Sequence, residues 1–218
     1  MNKHFHVELR KIKKRLLCLG EMVEERFLRA IQAVVTNDSE LAKSIIVNDH
    51  KIDEMEVELE EECLKVMALY QPVAVDLRFL VGVIKINNDL ERIGDEAKNI
   101  AQRLEIITKQ EDYDYIFDYS VMAKKTENML KKSLEAFVNL DIDLAFSILP
   151  LDDEVDKIKR TAYDKIKKAM AQHPDHIGYL INLLLISRHL ERVADHATNI
   201  AEDVVYMVEG EIIRHEQF

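Results

Sequence analysis

The chain of 218 residues carries 41 Asp and Glu against 30 Lys and Arg, a formal net charge of −11, with five Gly, three Pro and no Trp. That balance argues against nucleic-acid binding, which relies on clustered Lys and Arg, and against adhesion to an anionic membrane by charge. The shortage of turn-forming residues, with Leu, Ile, Glu, Lys, Ala and Met abundant, argues against sandwiches and barrels and for an all-α fold.

Apolar residues recur at helical spacing nearly throughout and mark six long helical segments. The first runs from about residue 5 to 36 and ends at the turn-like "TNDS" (36–39). Its "KIKKR" (11–15) is the notable basic run and reads as a solvated helix face. The second segment runs from 39 to 69 and includes the acidic run "EMEVELEEE" (54–62), again an exposed face. The third starts at Pro72, a good first helical residue, and reaches about 108. Its seam is Phe79, Val83, Ile86, Leu90, Ile93, Ala97, Ile100 and Leu104, the alternating three-four spacing of a helix in an antiparallel bundle. The polar stretch "KQEDYDY" (109–115) divides the chain into 1–109 and 110–218. The fourth segment spans about 116 to 138. The fifth spans about 141 to 171, broken near its start by Pro150, and the sixth runs from Pro174 to about 208.

The two parts are copies of one pattern. Residues 90–102 read "LERIGDEAKNIAQ" and residues 190–202 read "LERVADHATNIAE". Leu41-Ala42 matches Leu144-Ala145 and Met67-Ala68 matches Met170-Ala171 at an offset of 103, which falls to 100 after the turns "YQP" (70–72) and "QHP" (172–174). The expected fold is therefore two tandem, related three-helix bundles.

Four helices repeat an acidic residue followed four positions later by Asp: Asp49/Asp53, Glu91/Asp95, Asp152/Asp156 and Glu191/Asp195. Each pair sits one residue after a seam position, following Ile52, Leu90, Val155 and Leu190. A pair from the second helix can then meet a pair from the third, and the fifth likewise the sixth. Carboxylates at i and i+4 repel, and four brought together either raise their pKa values or demand a cation. Such oxygen-rich sets suit Mg, Ca, Mn or Fe, with Zn also compatible. A single D-x-x-x-D is ordinary surface; four at equivalent places weigh a cation site evenly against structural Arg-carboxylate bridging. Asn99 and Asn199 continue the same face and would add a carbonyl ligand or a hydrogen bond to a ligating carboxylate, and Arg92 and Arg192 would hold a carboxylate or an anion.

His189 and His196 flank the last pair, where the first copy has Asp89 and Glu96, and read as surface residues. Cys18 and Cys63 stand alone, which suits a reducing cytoplasm. No secretory signal is evident, and the most apolar stretch, "GYLINLLLIS" (178–187), falls short of the ~20 residues of a membrane span. The spacing Glu-x-x-His of di-iron oxidase bundles is lacking.

The stretches "QPVAVDLRFLVGVIKINNDLERIGDEAKNIA" (71–101), "SRHLERVADHATNIAED" (187–203) and "NDHKIDEME" (48–56) resemble the motifs of the PhoU family, and the resemblance spans essentially the whole chain. It implies two similar three-helix bundles with surface metal clusters at Asp49, Asp53, Glu91, Asp95, Asp152, Asp156, Glu191 and Asp195. It implies a cytoplasmic negative regulator of phosphate uptake, a homodimeric adaptor without catalytic activity. The implied partners are the ATPase subunit of a phosphate ABC transporter and the sensor kinase of the phosphate regulon. In the second copy "HPDHIGYL" replaces "QPVAVDLRFL", so Asp76 and Arg78 have no counterparts. A metal-dependent phosphohydrolase and a purely structural helical scaffold are the rival readings.

Overall fold

The computed structural model describes residues 3–47, 50–109 and 117–213. The described residues form helices α1 (Lys3–Thr36), α2 (Ser39–Val47), α3 (His50–Tyr70), α4 (Ala74–Thr108), α5 (Ser120–Asn139), α6 (Ile142–Phe146), α7 (Leu149–Gln172) and α8 (Ile177–Glu209), with a 3₁₀ turn at Pro174–His176 before α8. The segment expected as one helix from 39 to 69 is thus α2 and α3; Asn48 and Asp49, between them, lie outside the described residues. The expected division at 109/110 and the expected helix start at Ile116 likewise fall at or within 110–116, outside the described residues.

The repeat is visible in local chemistry. Asn37 and Leu140 both adopt left-handed φ values, 52° and 51°, and turn the chain out of α1 and α5. One residue later Asp38 accepts the Leu41 N–H at 2.9 Å, and Asp141 accepts the Leu144 N–H at 2.9 Å. These side chains cap α2 and α6 by satisfying an amide that the first helical turn leaves without a partner. Pro150 lies in the first turn of α7, where its missing N–H costs no helical bond. Pro72 does not open its helix. Gln71 and Ala74 have φ of 48°, and α4 begins at Ala74 instead.

α1 packs with α3 and α4, and α5 with α7 and α8, giving two three-helix bundles. The seven seam residues from Val83 to Leu104 are all buried in α4. Seven methionines fill the same core: Met122, Met129 and Met207 are buried, and Met22, Met55, Met67 and Met170 pack against it. Cys18 is exposed and Cys63 buried, both free. Burial, with the charges of Glu62 and Glu60, pushes the Cys63 thiol up to about 12, so it stays protonated at neutral pH. None of the described helices is long and apolar enough to cross a membrane.

The bundles meet through α4 and α8, the most extensive helix pair among the described residues. These helices bury a second face besides the expected seam. On α4 it carries Asp89 and Glu96, and on α8 Asn182, His189 and Asp203, whereas the buried Asn87 of α4 donates to the Glu56 carbonyl of α3. Gly82 allows the close approach, because a Cβ there would stand 2.6 Å from Cγ of Met207.

Candidate functional site

Each carboxylate pair follows a buried core residue, since Ile52, Leu90, Val155 and Leu190 lie inside. The core therefore fixes the turn of helix that presents the acids along the α3–α4 and α7–α8 junctions. In the second bundle Asp152, Asp156, Glu191 and Asp195 come close enough to perturb one another. Burial, then the charges of Asp156 and Glu191, raises the Asp152 carboxyl to about 6. Asp195 keeps an exposed edge, yet desolvation, followed by Glu191 and Asp152, also raises it to about 6. In the first bundle Glu91 is raised by burial and then by Asp95, with Asp53 and Glu56 adding to it, while Arg92 opposes. Asp49, the remaining predicted member, lies outside the described residues.

The cations at the two clusters differ. Arg92 stays beside its own pair, Nε 3.4 Å from Glu91 and Nη1 3.8 Å from Asp95. Arg192 leaves its pair and bonds Glu96 at 2.9 Å. In its place Lys159 pairs with Glu191 and lies 3.9 Å from Asp156, and Arg160 donates to Asp156 at 3.1 Å. A groove of about 870 Å³ opens beside this second cluster, lined by Lys159, Arg160, Tyr163, Leu184, Arg188 and Arg192 among others.

Behind the clusters lies an arrangement that one-dimensional spacing does not reveal. His189 Nδ1–H donates to Glu96 at 2.6 Å, and His196 Nδ1–H donates to Asp89 at 2.8 Å. Residue 89 of the first copy corresponds to 189 of the second, and 96 to 196. Each position therefore pairs with the other one across the α4–α8 interface, as a twofold relation between the bundles requires. His189 is 8% exposed, which corrects the surface reading for that side chain; His196 is half-buried at the same interface. The signal present in sequence was the opposite charge type at equivalent positions. Asn99 bonds Glu96, and Asn199 Nδ2 donates to Asp89 at 3.2 Å, so both amides serve this interface. Burial would raise Glu96, but His189, Arg192 and Asn99 outweigh it and hold the carboxyl below its ordinary range.

The model of the PhoU domain matches residues 16–104 and again 119–204. The chain belongs to the PhoU family. The phosphate-specific transport system accessory protein PhoU homolog of Pseudomonas aeruginosa is 35% identical over 216 residues, covering 99% of this chain and 89% of that protein. The accessory protein PhoU of Serratia marcescens is 33% identical over 219 residues, covering 99% and 90%. The crystal structure of the P. aeruginosa PhoU superposes with a TM-score of 0.91 at 35% identity, over 95% of this chain and all of that one (100%). That of the phosphate transport system regulatory protein PhoU from Streptococcus pneumoniae gives 0.84 at 31% identity, over 95% and 98%.

Among the described residues no three His, Cys, Asp or Glu groups already converge on a metal-binding geometry, Asp49 being outside them. Glu91 Oε2 makes no hydrogen bond, but Arg92 Nε stands 3.4 Å from that same oxygen, and the carboxyl groups around it repel. An all-oxygen set with excess negative charge, answered in part by that guanidinium, is the donor type that suits a hard cation.

Proposed function

We propose that this protein is a negative regulator of inorganic phosphate uptake. It acts as an adaptor between a phosphate ABC transporter, through its ATPase subunit, and the sensor kinase of the phosphate regulon. The observation that carries the reading is the similarity to phosphate-specific transport accessory proteins along 99% of the chain. The protein works in the cytoplasm, as a homodimer, by binding and without catalysis. Asp49, Asp53, Glu91 and Asp95 would hold cations on one bundle, and Asp152, Asp156, Glu191 and Asp195 on the other. Ions such as Fe, Mn, Zn, Mg or Ca would cancel the repulsion of each cluster and present positive charge on an otherwise acidic surface.

The test is phosphate uptake and regulon output in cells of the source organism lacking this gene. They are complemented with wild type or with a variant carrying Glu91→Ala, Asp95→Ala, Glu191→Ala and Asp195→Ala. Wild type is expected to restore restraint in high phosphate, and the folded, expressed variant is not. Restoration by both would remove the clusters from the mechanism while leaving the regulator in place. An unchanged phosphate response in the deletion strain would sink the regulator itself.

A further inference from the structure

The repeat relation places residues 51–68 of α3 on residues 154–171 of α7. The two helices hold equivalent places in their bundles but carry opposite charge. The first stretch has seven acids against Lys51 and Lys65, whereas the second has six Lys and Arg against Glu154, Asp156 and Asp164. The change falls on outward positions. Glu54, Val57, Glu61 and Leu64 are exposed on α3, and their equivalents Lys157, Arg160, Asp164 and Lys167 are exposed on α7. Spacing of three and four makes each set one stripe. Arg15 takes Glu58 and Glu62, but among the described residues Glu54 and Glu61 hold no salt bridge. Between them Val57 and Leu64 are each 52% exposed. Apolar residues seven positions apart with acids beside them are the anchor pattern of a helix that lies in a groove.

A groove of matching chemistry runs beside α7. It is the opening of about 870 Å³ along α7 and α8, with Tyr163, Leu184 and Leu185 as its apolar lining. Its four cations, Lys159, Arg160, Arg188 and Arg192, outnumber its acids, Asp164, Glu191 and Asp195. Arg188 stands where α4 has Asn88, and among the described residues neither Arg188 nor Lys157 holds a salt bridge. Within one chain α3 packs on α1 and α4, and α7 on α5 and α8, so these two faces do not meet among the described residues. Both halves of the complement are nevertheless on the same chain. Like faces repel, which leaves the unlike pairing between two copies.

We propose that the chain self-associates through these unlike faces, α3 of one copy lying in the α7–α8 groove of a second copy. A twofold dimer makes the contact twice, because each copy gives its α3 and receives the other's. This rests on the homodimer reading and names the surfaces that dimer uses. Val57 and Leu64 supply apolar area, and Glu54 and Glu61 supply the charge that the cations of the groove answer.

The test is the mass of the full chain by sedimentation equilibrium and light scattering. It uses two double variants, Glu54→Lys with Glu61→Lys on α3, and Lys157→Glu with Arg188→Glu at the groove, each checked for helicity and thermal unfolding. The first variant then has two basic faces and the second two acidic ones. Neither can pair with itself, yet each complements the other. Wild type should be a dimer that weakens with salt, since charges are screened beyond about 10 Å at 0.1 M. Each variant alone should dissociate on the order of a hundredfold more readily, and an equal mixture should restore the dimer. A dimer that persists in both variants puts the interface elsewhere and overturns the pairing, while the homodimer reading stands. Folded variants that dissociate and fail to recover on mixing overturn the pairing as well. A wild type that is monomeric at every concentration overturns the pairing and the homodimer reading together, and leaves the groove to a different protein.

Discussion

At the scale of single residues, the informative side chains are charged groups placed where charge is costly. Glu96 is 2% exposed and is held by His189, Arg192 and Asn99 together. Burying a carboxylate is tolerated only when its charge and lone pairs are answered, and here three groups answer it. Glu96→Ala strands the buried imidazole of His189, and its expected cost is about 3 kcal/mol by urea unfolding. Glu96→Gln, which keeps a hydrogen-bonding side chain of the same shape, should cost less. An unchanged midpoint in Glu96→Ala would mean that the α4–α8 interface does not depend on this group. The four carboxylate pairs were legible in the sequence because their spacing is local, i to i+4 on one helix. The histidine pairs were not, because they join residues 93 and 107 positions apart, and a single sequence holds no record of which helix faces which. For the same reason Arg192 and Asn199 could be placed on a helix face but not assigned to a neighbour.

At the scale of elements, the seam of α4 and the extents of α1 and α8 followed from periodicity, since a buried stripe must recur every three or four residues. The second buried face of α4 escaped that reading because it is polar, and hydrophobic spacing is blind to it. The two short helices α2 and α6 depend on a more local signal. Asp38 and Asp141 each satisfy a first-turn amide just after a residue in left-handed conformation, a backbone state that costs a non-glycine residue roughly 1 kcal/mol. Asp38→Ala and Asp141→Ala should each lower unfolding free energy by about 1 kcal/mol, and the Ser variants should regain most of it. The two losses should add, because the caps belong to different bundles and share no partner. A loss at one cap only would show that the repeat retains sequence there without retaining its energetic role. Pro72 illustrates the converse: a residue well suited to open a helix is overridden by the turn around Gln71 and Ala74.

At the scale of the whole molecule, the clusters and the α4–α8 interface pull stability in opposite directions with pH. Asp152 and Asp195 titrate near 6 in the folded chain, above the ordinary Asp value of about 3.9. The folded state then binds those protons more tightly than the unfolded one. Their contribution is fully present below about pH 3.9 and is lost as pH rises through about 6. Glu96 has the opposite sign, because its folded carboxyl is held low. Its contribution is present above about pH 4.3, the unfolded value, and is lost as pH falls through the folded one. The metal-free chain should therefore be most stable near pH 4 to 4.5, lose stability as pH rises towards about 6, and stay at that lower level at neutral pH. Replacing Asp152 and Asp195 together by Asn should raise stability at pH 7.5 by on the order of 1 kcal/mol, allowing for solvent screening, and flatten the loss between about pH 4 and 6.5. Divalent cations should act in the same direction on the wild type. They add about 2.7 kcal/mol at a hundredfold excess over Kd and act more strongly as the carboxyl groups lose their protons. Thermal unfolding of wild type and the Asn pair, with chelator and with Mn(II), separates these effects. If the Asn pair and the wild type lose stability in parallel from about pH 4 to 6.5, the second cluster is not the origin of the neutral-pH deficit. A cation that stabilises both proteins equally would then be acting elsewhere on the chain.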